Sequence, residues 1–366
     1  MMSGIPIAEL ADGQWRDCLV TGTAQDFAPV FPEDDYLHGI ATGAHFTTVE
    51  TNLYGFNIPE AEINANIYVL WHPVLGTMSV QIWVLRGKRI LPHQLAADYF
   101  VEYLYLPAIE NNADWSVAAG SSNFRIRIVR PLEEILIQFS DDARNFALDL
   151  TCTAALPPVG RPGGHHFTQL LQTRGELTLG GVHYAINSHY MRDRSWGYNR
   201  PEQAERTPPY RWMTAWFDDG SSFVIAWLDT ALLDDPEFGP HWNSLVEGPD
   251  STGANKWESG GPTPSLNLRS GWIANEGRIV PVTSLRFRTL TGGASRFIVK
   301  AVELEITDAE GRVHLINGET QSMIPKMYWG NLTTNMHAMK LHMGDYAGKG
   351  DLMDSYSTYH IAKYGL

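Results

Sequence analysis

No run of basic residues, no cysteine framework and no apolar stretch of membrane length occurs in these 366 residues. Each absence removes a class of function. The formal net charge is −14, with Lys and Arg scattered along the chain. Nucleic acid and an acidic lipid surface are therefore excluded as partners on charge. Apolar windows fall short of the ~20 residues that cross a bilayer as a helix, so stable membrane insertion is not expected. The opening MMSGIPIAELADGQW has neither the charged start nor the continuous apolar middle of a secretory leader, and a cytoplasmic location is expected. Cys18 and Cys152 are too few for a disulfide scaffold and read as buried thiols. There is no nucleophile elbow, phosphate loop, dinucleotide fingerprint, H-E-x-x-H or zinc-spaced cysteine pair. The expectation is chemistry without cofactor or metal.

What is present is strand signal, in short alternating or β-branched runs broken by Gly, Pro, Asn and Asp. Strands are predicted near 45–56, 65–73, 78–87, 98–106, 124–130, 133–140 and 145–154. More follow near 166–179, 182–190, 210–218, 221–229, 283–289, 296–306 and 312–317. The fold class is all-β, with LPHQLAADYF (91–100) as the sole weak helix candidate. LPPVGRPGGHH (156–166) holds three prolines and three glycines, which break ladders, and marks the best internal boundary. The division read from it is an extension over 1–34, one β half over 35–157 and another over 158–366. Segment 231–265, rich in Asp, Pro, Gly and Ser, reads as a long loop or lid.

Two hairpins can be read with their register. Gly180-Gly181 supplies the positive φ angles of a two-residue turn, setting Leu179 opposite Val182 and Leu177 opposite Tyr184. A turn at Asp219-Gly220 would pair Trp216 with Phe223, Thr214 with Ile225 and Trp212 with Trp227. That second pair is apolar on both faces, as expected of strands buried on both sides; a barrel lumen and a filled sandwich fit it equally.

The chemistry-bearing residues are isolated His, Glu and Asp on such strands. His45 and Glu50 lie on opposite faces of the first predicted strand. A Glu there is either solvent-facing or buried and available for proton transfer. Asn52 and Asn57 read as turn residues or substrate hydrogen-bonders. His165 and His166 are adjacent, so on a strand they point apart and cannot share a metal. In HYMRDRSWGYNRPE (189–202), a continuing strand puts His189, Met191, Asp193 and Ser195 on one face. Tyr190, Arg192, Arg194 and Trp196 take the other. Asp193 between two arginines reads as an orienting carboxylate or as the centre of a buried structural corner.

The run GELTLGGVHYAINSHYMRDRSWGYNR, followed by PPYRWMTAWFDDGSSFVIAW, resembles the lipocalin-like superfamily of hydroxyneurosporene synthase, tocopherol cyclase and the fungal decalin-forming cyclases. The likeness centres on Asp193, Ser195, Trp196, Gly197 and Arg200 and extends in order over most of 35–330. It implies two lipocalin-like (calycin-type) antiparallel barrel or sandwich halves packed around a hydrophobic cavity. It also implies redox-neutral chemistry without a cofactor. Arg194 stands where the hydratases often carry His, so the acid/base duty passes to His45, Glu50, His166 or His189, with Asp193 beside them. Asn52, Tyr54, Tyr184, Tyr190 and Arg192 become candidates for the substrate wall, as do Trp196, Trp212, Trp216 and Trp227. The expected activity is a lyase, hydratase or isomerase acting on a phenolic, terpenoid or steroid-like molecule by general acid/base catalysis. A cyclase that mainly shapes its substrate and a non-catalytic carrier are the alternatives. A homodimer is the base-rate expectation.

Overall fold

A computed structural model describes Gly13, residues 15–18, 27–40, 44, 46, 48–89, 94–106, 109–161, 164–199, 210–228, 271–292, 295–328, 332–358 and 361–362. His45 and segment 231–265 lie outside the described residues. Most of the described residues lie in antiparallel β-strands. The strands are β1 (Arg16–Cys18), β2 (Thr48–Ile58), β3 (Ile63–His72), β4 (Thr77–Arg86), β5 (Ala97–Tyr105), β6 (Asp114–Ala119) and β7 (Ser122–Arg130). Next come β8 (Glu134–Asp141), β9 (Phe146–Ala154), β10 (Val159–Gly160), β11 (His166–Leu179), β12 (Val182–Asn199), β13 (Tyr210–Phe217) and β14 (Ser222–Leu228). The last are β15 (Gly271–Asn275), β16 (Arg278–Gly292), β17 (Ser295–Asp308), β18 (Val313–Tyr328), β19 (Leu332–Met343) and β20 (Tyr346–Ser357).

These strands make two sheets. The first runs β5-β4-β3-β2-β12-β11-β9-β8-β7-β6, with β10 added to β11. The second runs β1-β16-β15-β14-β13-β20-β19-β18-β17, and β16 also pairs with β17, closing β13 to β20 into a barrel. The chain correspondingly forms two compact units, one within 27–200 and one from 201–366 joined by the N-terminal segment.

The break therefore falls near residue 200 and not at 157. Strands on either side of the Pro/Gly stretch pair with each other, Phe146 opposite Leu179 through Ala154 opposite Leu171. The stretch itself contributes Val159–Gly160 to the same sheet. Its prolines and glycines shape a connection inside one sheet. The weak helix at 91–100 is also corrected, because Ala97–Phe100 opens β5, burying Tyr99 and exposing Phe100 by alternation.

Alternation also explains the cores. β7 to β9 bury every second residue: Phe124 and Ile126, then Ile135, Ile137 and Phe139, then Phe146, Leu148 and Leu150. Burying such a side chain stabilises by about 1.5–3 kcal/mol, so each strand is held mainly by its inward row. β2 and β3 are buried on both faces along their whole length, and β4 nearly so. One face, with Tyr54, Phe56, Ile67 and Ile82, belongs to the core. The other carries Leu53, Asn57, Asn64, Asn66, Tyr68, Gln81 and Trp83, all buried. Cys152 is buried in this core, and burial pushes its thiol up to about 11.

Both hairpin turns are present, with one difference. The Gly180-Gly181 register is as read from the sequence, with φ of 56° and 82° at the two glycines. The later turn spans three residues, Asp218 to Gly220, since Phe217 N donates to Ser221 O at 2.9 Å. Trp216 therefore faces Ser222, Trp212 faces Ala226, and Arg211 faces Trp227. One extra turn residue moves Trp227 to the opposite face from Trp212 and Trp216, into the second core with Met213, Phe223 and Ile225.

Candidate functional site

β12 is the strand that organises the charged residues. It continues past 190 to Asn199 and pairs with β11 along its length and with β2 from Asp193 onward. Its alternation sends Arg192 and Arg194 to one side and His189, Met191, Asp193 and Ser195 to the other.

The arginines do not face Asp193, which corrects the expectation that it balances both. Arg192 pairs with Asp35, delivered by the short 3-10 turn Pro32–Asp35, and both side chains are fully buried. Arg192 Nη1 donates to Gln169 Oε1 at 3.4 Å, and its guanidinium lies 4.9 Å from the Phe167 ring and 5.4 Å from Tyr54. Burial lowers the Arg192 pKa, but Asp35, by charge and hydrogen bond, together with Tyr54 and Cys152, more than reverses this and holds the pKa above its ordinary value. Burial pushes the Tyr54 phenol up to about 12, so it stays protonated and donates to Asn52 Oδ1 at 3.2 Å.

Arg194 donates to Glu50 Oε2 and to the Tyr36 carbonyl, each at 2.7 Å. Burial raises the Glu50 pKa, but Arg194 and His38 more than reverse this and hold the carboxyl below its ordinary range. Glu50 thus sits on the Arg194 side as an ionised, doubly engaged carboxylate. His38 stacks on Trp196 at 5.1 Å and places Nδ1 3.3 Å from Glu50 Oε2. This side of β12 is a scaffold: two buried ion pairs fasten the segment before β2 to the sheet.

The other side carries a different constellation. His166, first residue of β11, places Nε2 2.6 Å from Asp193 Oδ2, with Arg161 Nη2 3.1 Å from the same nitrogen. The short contact has Nε2–H donating to the carboxylate, which fixes the ring's orientation. His166 is nearly buried and Asp193 half-buried. Thr51 and Ser195 lie beside them, hydroxyl to hydroxyl at 2.7 Å. His189, on the same face, is half-buried opposite Gln172; burial first and Arg174 second lower its pKa.

This face continues across β2, β3 and β4. Asp193 is opposite Leu53, Leu53 opposite Tyr68, and Tyr68 opposite Gln81. The next row is Gly55, Asn66 and Trp83, and the one after is Asn57, Asn64 and Leu85. Gly55 is required here: a Cβ would come within 2.4 Å of the Tyr190 ring. That ring lies past the end of the β2–β12 ladder, and its hydroxyl is hydrogen-bonded to Asn66 Nδ2.

Of the residues singled out from sequence, His166, His189 and Asp193 thus share one face, whereas Tyr190 leaves β12 on the side of Arg192 and its hydroxyl meets Asn66 past the end of the ladder. Glu50, Asn52, Tyr54 and Arg192 are on the opposite face. Asn52 and Asn57 are mid-strand and buried, not in turns. Tyr184 lies toward the glycine turn, under Arg86 at 5.8 Å. Trp212, Trp216 and Trp227 belong to the second sheet. Sequence reasoning missed Asp35 and His38, which sit in an aperiodic segment; the one signal for Asp35 is that a buried arginine demands a carboxylate. It missed Asn64 and Asn66 as well. No group of three or more metal-ligating side chains occurs among the described residues, and no helix there is long and apolar enough to cross a membrane.

Three solved structures share this architecture. Kievitone hydratase from Nectria haematococca superposes with a TM-score of 0.53 at 13% identity, over 94% of this chain and 98% of the hydratase. A protein designated AttH from Nitrosomonas europaea gives 0.53 at 14%, over 91% and 99% of the two chains. CghA gives 0.52 at 10%, over 94% and 97%. The fold is thus the one these three structures share, the lipocalin-like architecture expected from the sequence. No curated protein matches the sequence. A family model, described as a domain of unknown function (DUF7064), matches residues 31–353.

Proposed function

We propose that this chain, which belongs to the DUF7064 family, is a cofactor-independent lyase of the hydratase type acting on a hydrophobic small molecule. The observation that carries the reading is the His166–Asp193 dyad on the same sheet face as buried Tyr68 and Trp83. Asp193 holds Nε2, leaving proton transfer to the other ring nitrogen. In the hydration direction the imidazolium gives a proton to an alkene carbon, water adds to the resulting cation, and the imidazole takes a proton from that water. The dyad ends as it began, and dehydration is the reverse. Aromatic faces such as Trp83 and Tyr68 would stabilise positive charge developing on carbon. A hydratase of the same fold supports this reading over a carrier.

The test is turnover of phenolic and terpenoid alkenes in isotopically labelled water, followed by mass spectrometry. His166→Gln keeps a donor toward Asp193 but cannot carry the proton, so turnover should fall by about 10²–10⁴-fold. The pH–rate limb in the histidine range should disappear with it. Unchanged turnover and pH profile in this variant would sink the proposal. Recovery of every bound hydrophobe unaltered by the wild type would make the protein a carrier.

A further inference from the structure

Asn57 and Asn64 are directly opposite on β2 and β3, on the face of β2 that also carries Leu53, the residue opposite Asp193 of β12. Asn57 Nδ2 donates to Asn64 Oδ1 at 2.9 Å, joining the two amides by one edge. Their outer edges, Asn57 Oδ1 and Asn64 Nδ2, are buried and have no hydrogen-bond partner. The residues are only 6% and 3% exposed. Exchanging O and N in both amides leaves the same result, one unpaired donor and one unpaired acceptor, so the conclusion does not depend on how either amide is oriented. Leaving a buried polar atom unpaired is costly, and here two complementary ones sit on side chains that are themselves hydrogen-bonded to each other.

We propose that the Asn57–Asn64 pair is the anchoring subsite for an uncharged hydroxyl group at the far end of the substrate. A hydroxyl oxygen is the smallest group that gives one hydrogen bond and takes another. It would donate to Asn57 Oδ1 and accept from Asn64 Nδ2. A carboxylate offers no donor and would bring an uncompensated charge to a neutral, buried pair. The neighbouring row, with Trp83 and the Tyr190 ring over Gly55, supplies aromatic surface for the body of the ligand. Along β2, Asn57 lies four residues beyond Leu53, the residue opposite Asp193. At the usual strand rise this separates anchor and dyad by about 13 Å. The substrate class is thus an elongated, hydrophobic phenol or alcohol whose reacting bond is remote from its anchoring hydroxyl. The assignment of the reacting end rests on the proposed acid/base role of His166 and Asp193.

The experiment compares calorimetric binding of 2-naphthol, 2-methoxynaphthalene and naphthalene to the full chain. The wild type should prefer 2-naphthol over the other two by about tenfold or more. Asn57→Leu/Asn64→Leu removes both polar edges together, and Asn57→Ala/Asn64→Ala does so with less bulk. In whichever folds, judged by a single cooperative urea transition, naphthalene binding should persist while the hydroxyl preference vanishes. A preference retained in either folded variant overturns the subsite. So does its absence in the wild type, which would mean that the pair holds only buried water. His166→Gln separates the two claims: it should keep the hydroxyl preference while losing turnover. If it keeps turnover, the acid/base role fails and the subsite stands.

Discussion

Among single residues, the greatest thermodynamic weight rests on side chains that do no chemistry. Arg192 and Asp35 are both shielded completely from water, and Asp35 also accepts the Leu132 amide at 2.5 Å. Removing one member of such a pair strands a buried charge, at a cost of about 3–5 kcal/mol. Asp35→Asn should therefore lower the urea-unfolding free energy by that amount. Asp35→Leu combined with Arg192→Met should recover part of it, the Leu132 amide remaining unpaired. A midpoint unchanged by Asp35→Asn would show that the pair is solvated after all. The sequence shows two arginines flanking Asp193 and nothing of where they point. Their partners lie 157 and 144 residues away, and no local pattern encodes a contact of that range.

At the level of elements, legibility follows how local the cause is. The Gly180-Gly181 hairpin was readable with its register because two adjacent glycines dictate the turn by themselves. The second hairpin has the same kind of signal in Asp219-Gly220, but Asp219 Oδ1 accepts both the Ser221 amide and its hydroxyl, at 2.9 and 2.6 Å. Those bonds stabilise a three-residue loop and shift every side chain of β14 to the other face. Deleting Asp218 should force a two-residue turn and drive Trp227 out of the second core. Loss of a buried Trp of this kind costs about 3–5 kcal/mol. Tryptophan fluorescence and thermal unfolding should both report it, and an unchanged emission maximum would contradict the register argument. β19 and β20 were invisible from sequence because LTTNMHAMKLHM and YAGKGDLMDSYS are poor in β-branched and aromatic residues. They become strands through pairing with each other and with β18 and β13. The dyad face was half legible: alternation correctly grouped His189 and Asp193, but the amides of β3 contribute only once the sheet order is known.

For the whole molecule, the two sheets differ in how they end. The second closes on itself through β16 and β17, whereas in the first β5 and β6 each have a single neighbour among the described strands. Hydrogen exchange should therefore be fast in β6, which can fray alone, and slow where Leu285–Phe287 pairs with Leu304–Ile306, where opening requires the barrel to break. Equal protection in both would show that the first sheet is closed in solution. The closed sheet also has a consequence for the order in which the chain can fold during synthesis. β1 precedes every strand of the first sheet in the chain, yet its partner is β16, with Cys18 opposite Leu285. At about 5–20 residues per second that partner leaves the ribosome only tens of seconds later. The first sheet, by contrast, has all its strands once Asn199 has emerged. The nascent chain thus carries every strand of the first sheet while β1 still waits for a strand not yet translated.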